Sequence, residues 1–589
     1  MARSTVLMML GALLVSAAAQ AAKTYNWTGA AGDGLFQSPG NWDPEYSDPG
    51  VSDTLNYKTP ASGEETVRLT SNLYSAYFNV SSDEGSTGRA VIDLDGNELW
   101  VTNGSRMTFS NPMPVVFSNG SIRTWCRYKW AGQSTVSEYA SVSTSGSKTD
   151  VTFDHVVFNF SNRTSPQSTA DEQFITCRNS FMTNYPYESV KSNSRIVFDN
   201  TTYYLGKNWQ LHPVSDATNV TVRFTNKAKI SYYGGTYTLG DEAHYENCRL
   251  IVDDGARIGY RIYTSTSAGV NNTVAFSNAI FTSTLNLRGT NSAAYFHNTT
   301  YDGTGDGVGV SLKGTGNRVV FSGDTELKLK SQDFEGGSVS NAIIYADGTH
   351  HTNTSHYVGI TAGVRDCLVE VGENVPVRMS TISARGATGS VTNLTLRVKK
   401  GGVMYLSNRQ DAAEGAPYSM GGPGFRLVLD NGTYFFRSSK ETQYPCCTYV
   451  GGSIEFNGDD ARMKVGDEEY TGYIQLGLSS SASSEDDRTR LVYNPGPDGY
   501  HGEAPLYTRV TKSSSFGRLA VEVNAKAWIG GRDPGTYRLP LFKAGSGSVV
   551  GFVTETPLTC DYEDAKLVVE SGTVYCEIVK HPGLMILVR

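Results

Sequence analysis

The chain has 589 residues, 18% of them charged, with 62 Gly and 34 Tyr. A hydrophobic fraction of 39% is enough to form a core, which excludes a wholly disordered chain. The formal net charge is −8 and Lys and Arg form no basic stripe, so nucleic acid has no electrostatic foothold and is excluded as a partner.

Ser, Thr and Asn are abundant and long Ala/Glu/Lys/Leu stretches are absent, which disfavours helix and suits many short strands joined by turns. Ordinary domain sizes would split such a length into about three or four domains. A repeat fold escapes that rule, because it grows by adding coils along one axis.

In chain order, residues 1–21 read as an export signal. Met1-Ala2-Arg3 is a short positive start, Val6 to Val15 an apolar run, and Ala17 to Ala22 supplies small residues for cleavage after Ala19 or Ala21. The apolar run is shorter than the about 20 residues a bilayer span needs, and no later segment is longer and more apolar. The mature chain is therefore expected without a transmembrane segment, secreted or at the cell surface.

Residues 22–89 form an opening segment and cap, and residues 90–478 carry a repeat. Short apolar runs end in Phe or a branched residue, then a polar residue, then Asn or Gly: Val116-Phe117-Ser118-Asn119, Val197-Phe198-Asp199-Asn200, Val222-Arg223-Phe224-Thr225-Asn226, Val274-Ala275-Phe276-Ser277-Asn278 and Val319-Val320-Phe321-Ser322-Gly323. Looser copies include Ile251-Val252-Asp253-Asp254-Gly255 and Ile454-Glu455-Phe456-Asn457-Gly458. Beyond residue 198 they recur roughly every 20 to 30 residues, the period of solenoids. A strand alternates its side chains between two faces, so the apolar set faces one interior. Asn and Gly tolerate the left-handed backbone that a sharp corner needs. Stacked units would pile the Phe rings into a column and the Asn side chains into a ladder. The expected fold is all-β, a single-stranded parallel β-helix.

Residues 479–536 read as a loop-rich connection and final coils. Residues 537–589 read as a small C-terminal β cap with strands at 537–542, 549–553, 566–569 and 573–579, closing the last coil against edge pairing. Tandem antiparallel β-sandwiches are the competing fold, since Asp95-Gly96, Asn103-Gly104 and Asn431-Gly432 are good hairpin turns.

The mature start carries a resemblance. Tyr25-Asn26-Trp27-Thr28-Gly29, Gly32-Asp33-Gly34, Gly40-Asn41-Trp42, Ser52-Asp53-Thr54-Leu55 and the stretch Val91 to Val101 follow one another. This resembles the opening of bacterial surface proteins with autotransporter-associated β-strand repeats. The resemblance implies a passenger-type, right-handed β-helix, secreted or held at the surface, often adhesive. The chain departs from true autotransporters at its other end, where too little remains to build a typical translocating barrel.

Catalysis on such a fold would need converging carboxylates, or carboxylates beside Arg or Lys. Two candidates stand out: Asp253 with Asp254, near Arg257 and Arg261, and Asp459 with Asp460. For both, a polar turn beside a strand is the plainer reading. His350-His351 and His356 lack a neighbouring carboxylate or Cys, so no metal site is read there. No cofactor is expected, and calcium between stacked turns stays open. Of eight Cys, Cys560 and Cys576 are candidates for a local disulfide across a hairpin. Trp125, Tyr128 and Trp130, and Tyr203, Tyr204 and Trp209, are candidates for stacking sugar rings.

The functional expectation is an exported structural or adhesive surface protein without catalytic activity, with glycan or a cell-surface polymer as partner. The alternative is a secreted polysaccharide lyase or glycoside hydrolase, which requires Asp, Arg and Lys from separate coils in one cleft.

Overall fold

The structure is a computed structural model. It describes residues 21–47, 53–102, 106–128, 137–139, 141–160, 172–183, 190–205, 217–232, 236–238, 246–259, 261–264, 269–303, 309–329, 331–348, 350–351, 357–361, 363–379, 381–385, 391–408, 424–438, 448–449, 452–466, 475–476, 488–511 and 519–582. The export signal lies outside them, apart from Ala21. The chain is nearly all β, and its parallel strands stack as a solenoid of about 13 turns. Two compact units, Met1–Thr164 and Ser165–Arg589, divide it.

In the first unit, Thr24–Trp27, Thr54–Lys58, Tyr77–Ser81, Arg106–Ser110 and Ser141–Thr144 stack in parallel. The glycine- and tryptophan-rich start closes this stack. Trp42 pairs antiparallel with Trp27, and their rings, with Phe36, pack at 4.9–5.6 Å. Asn41 is fully buried and knits the loop: its Oδ1 accepts the Ala31 N–H at 2.8 Å, and its Nδ2 donates to Asp33 Oδ1 at 2.7 Å and to the Leu35 carbonyl at 3.0 Å.

In the second unit, the repeated motif forms one column of parallel strands. Arg195–Asp199, Thr221–Thr225, Arg249–Asp253, Thr273–Ser277, Ala293–His297, Arg318–Ser322 and Ala342–Tyr345 lie in register, each on the next. Phe198 faces Phe224, Val252 faces Phe276, and Phe296 lies between Phe276 and Phe321. The rings stack at 4.7 Å (Phe198–Phe224), 4.8 Å (Phe276–Phe296) and 5.2 Å (Phe296–Phe321), and each of these Phe residues is at most 1% exposed. The column expected from the repeat is thus present. The antiparallel sandwich is overturned: Arg89–Asp93 and Glu98–Thr102, which flank Asp95-Gly96, pair in parallel with other coils rather than with each other.

Left-handed corners flank these strands. After the strand stand Asn200, Asn226, Asp254, Asn278 and Asn298, with φ of 46–52°. Before it stand Asn193, Asn219, Asn247, Asn271 and Asn291, with φ of 52–59°. Only the first set belongs to the motif read from the sequence. The amides form ladders: Asn200 Nδ2 donates to Asn179 Oδ1 at 2.9 Å, and Asn219 Nδ2 to Asn193 Oδ1 at 3.1 Å. A second, internal ladder follows the earlier corner, where buried Asn272, Asn317 and Asn341 accept the backbone N–H of Cys248, Ser292 and Asn317 at 2.8–3.0 Å. An amide oxygen inside a core is tolerable because the preceding coil supplies the N–H that it accepts.

Each coil also feeds a second column (Thr202–Leu205, Lys229–Tyr232, Arg257–Ile258, Ile280–Phe281, Thr300–Asp302, Glu326–Lys328) and a third sheet. The third sheet comprises Thr236–Thr238, Arg261–Tyr263, Leu285–Leu287, Val310–Leu312, Ser331–Phe334, Tyr357–Thr361 and Thr381–Arg385. It ends in a glycine corner, where Gly289 has φ of +88° and a Cβ would stand 2.1 Å from the Gly269 carbonyl oxygen. Gly289→Ala is expected to destabilise by more than the about 1–2 kcal/mol of left-handed strain alone. An unchanged urea midpoint would show that this corner does not constrain the stack.

At the C-terminal end, Gly535–Ser546, Ala565–Glu570 and Thr573–Lys580 form an antiparallel sheet continuing from Leu506–Val510. One expected strand is corrected: Val550–Glu555 is a short helix. Phe552 and Val549 stand three residues apart, a helical spacing that puts both on one face, and Phe552 stacks on Phe542 at 5.5 Å. Cys560 belongs to the last coil strand, Leu558–Cys560, and Cys576 to the cap hairpin. Both are free thiols, and Cys560 Sγ donates to Asp561 Oδ1 at 3.8 Å.

Candidate functional site: a polar ledge along the coil corners

The corner that ends each first-column strand must be polar, since its side chains point away from the core. In the first coils of the second unit these corners line an open groove of about 410 Å³, formed by Arg178, Asn179, Asp199, Asn200, Asn226, Lys227 and Asp254. Stacking brings them together from four coils. Arg178 Nε donates to Asp199 Oδ2 at 3.3 Å, and Asn226 Nδ2 donates to Asp199 Oδ1 at 2.7 Å. Lys227, also left-handed at φ 65°, follows Asn226.

Asp253 and Asp254 lie on this ledge. Arg223 grips Asp253 through Nη2 at 2.8 Å and Nε at 3.1 Å, and Asp254 Oδ2 accepts the Thr225 hydroxyl at 3.2 Å. Arg261 is not beside them, because it starts a strand of the third sheet.

Asp459 and Asp460 stand eight coil steps further on. At about 4.8 Å per step that is roughly 40 Å, so the two carboxylate pairs cannot act on one bond. Asp459 organises a turn: its Oδ2 accepts the Asp498 N–H and its Oδ1 the Tyr500 N–H, both at 3.1 Å. The turn contains four consecutive left-handed residues, Gly499, Tyr500, His501 and Gly502. Asp460 Oδ1 lies 3.2 Å from His501 Nε2 at its surface.

A second groove, of about 430 Å³, opens at the corner preceding the strands, where Gly424 stands in place of the Asn of earlier coils. Asp366, Asn393, Arg426 and Arg490 line it. Arg426 forks onto Glu455 at 2.8 Å through both Nε and Nη2. Burial alone would raise the Glu455 carboxyl, but the hydrogen bonds from Arg426 and Ser453 and the charges of Arg426 and Arg490 hold it below its usual range.

The aromatic candidates divide. Tyr203 is corrected: it is 1% exposed and stacks on Phe198 at 5.2 Å, because its position on Thr202–Leu205 points inward. Trp125 and Tyr128 lie on Val115–Tyr128 and Tyr204 on Thr202–Leu205, but their side chains fall outside the described residues, as do Trp130 and Trp209 altogether. His350–His351 is a short strand whose side chains are likewise outside. Among the described residues no group of three or more His, Cys, Asp or Glu is placed to hold a metal ion, and no helix is long and apolar enough to cross a membrane.

Arg178, Asn179 and Lys227 were not singled out from the sequence. The coil register would have found them, since it aligns Arg178 with Asp199 and sets Asn226 and Lys227 beside Asp254. Together the ledge offers donors and acceptors at the coil spacing. No family model, no curated protein and no solved structure matches this chain.

Proposed function

We propose that this is an exported structural or adhesive β-solenoid that holds a glycan or another cell-surface polymer along its coil corners without transforming it. The observation that carries the reading is the ledge from Arg178 to Asp254, where carboxylates, amides and cations alternate from coil to coil and the candidate acids Asp253 and Asp254 are engaged by Arg223 and Thr225. Such a row makes many weak hydrogen bonds to an extended chain, and repetition rather than one deep pocket supplies the affinity. Secretion rests on the export signal in residues 1–21.

A glycan array probed with the secreted chain, run beside lyase and hydrolase assays, tests this. Retention of a polysaccharide without product is expected, with and without added calcium. The double variant Arg178→Ala, Lys227→Ala is expected to weaken retention about tenfold, equivalent to about 1.4 kcal/mol. Product released from any polysaccharide would refute the non-catalytic reading.

A further inference from the structure

The third sheet has an outer face that the corner ledge does not use. Leu285, Leu287, Val310, Leu312 and Phe334 are fully buried, so the residues between them point outward. Register places Tyr263, Asn286, Ser311 and Asp333 in one outward row. Two residues further along each strand, Arg288, Lys313 and Glu335 make a parallel row, and the Lys313 and Glu335 N–H groups continue the ladder onto Leu287 and Leu312 at 2.9 and 2.8 Å.

These side chains form one linked group. The Ser311 hydroxyl donates to Glu335 Oε1, Arg288 Nη2 lies 3.6 Å from Glu335 Oε2, and the Arg288 guanidinium sits 5.5 Å from the Tyr263 ring centre. Although they face outward, Asn286 and Ser311 are only 7% and 2% exposed, so neighbouring groups cover much of the row. Arg288 Nε is buried there without a hydrogen-bond partner, a donor left unmet at a place where buried donors are nearly always met. Lys313 is exposed and makes no ion pair among the described residues.

We infer that this outer face binds a neutral saccharide chain running along the coil stack. The inference rests on the glycan-binding reading and assigns it a second site and a ligand class. Two cations and two carboxylates alternate with an amide, a hydroxyl and an aromatic ring. Hydroxyl groups both donate and accept, so a neutral sugar satisfies all of these groups at once. An acidic sugar would meet Asp333 and Glu335, and a basic one Arg288 and Lys313. The Tyr263 ring supplies a flat apolar face for a pyranose.

The test is calorimetric titration of the full secreted chain with neutral hexose and pentose oligosaccharides and with an oligouronate. It is run on the unaltered protein, on Lys313→Ala and Glu335→Gln, and on the ledge variant Arg178→Ala, Lys227→Ala. Lys313 has no ion pair to lose, so that variant reports on binding even if Glu335→Gln perturbs the fold. The expected result is a neutral oligosaccharide bound at least about tenfold more weakly by Lys313→Ala and measurably by the ledge variant. Loss in the ledge variant with unchanged binding in Lys313→Ala and Glu335→Gln overturns the third-sheet site and leaves the ledge standing. Preference for the oligouronate overturns the ligand class. Release of reducing ends overturns a binding-only role for Asp333 and Glu335, and no binding of any oligosaccharide overturns both readings.

Discussion

Phe296→Ala is expected to cost about 3–5 kcal/mol, the range for an aromatic removed from a close-packed core. Phe296 is fully buried and touches rings on three coils: Phe276 at 4.8 Å, Tyr301 at 4.9 Å and Phe321 at 5.2 Å, with Phe281 at 6.2 Å. Stacked strands at fixed spacing cannot close in on the void, so little of the loss is recovered by relaxation. Val320 supplies the control. It points outward from Arg318–Ser322, so Val320→Ala is expected to stay within about 0.5 kcal/mol. Because a coil's stability is shared mainly with its neighbours, the damage should also be local. Amide exchange in Thr273–Ser277 and Arg318–Ser322 should quicken, while Thr489–Asn494 keeps its protection. Equal acceleration in all three strands would mean that the array unfolds as one unit.

What the sequence made legible follows from the range over which its signals act. Alternation and a left-handed corner are properties of five or six adjacent residues, so Phe198, Phe224, Phe276 and Phe321 could be assigned to one column from their own segments. The earlier corner was missed because its residues vary more, passing from Asn193 through Asn291 to Gly316, Ser340 and Asp366, all left-handed. The third sheet was missed for a different reason. Leu285–Leu287 and Val310–Leu312 are three residues long, too short to show a period, and only stacking reveals that Asn286, Ser311 and Asp333 form a row. Tyr203 could not be placed by parity: it stands five residues after the inward Phe198, and the left-handed Asn200 corner between them resets which face is inward. The helix at Val550–Glu555 escaped because Val549, Phe552 and Val553 suit a strand and a helix equally.

Removal of a whole coil is expected to leave the fold intact, whereas removal of half a coil should destroy it. Val270 and Thr290 hold equivalent bridge positions, and Asn271 and Asn291 are both left-handed, at φ 55° and 52°. Deleting residues 271–290 therefore joins Val270 to Asn291 with every later residue in its old register. Leu250 and Val252 would then face Ala294 and Phe296, an apolar pairing of the kind already present in the column. Since each coil contacts mainly its neighbours, the variant should lose one coil's contribution and retain cooperative unfolding. Deleting only residues 271–280 instead carries a first-column strand's corner into second-column positions. It sets polar residues against the core and should give an insoluble chain. The whole-coil deletion also removes Asn286 and Arg288 but spares Arg178, Asp199 and Lys227. A soluble variant that keeps its β circular dichroism, loses the neutral oligosaccharide at the third sheet and retains the corner ledge would separate the two surfaces without any point substitution. If the shortened chain fails to fold, the coils are not interchangeable, and stability in this solenoid depends on the particular order of its layers.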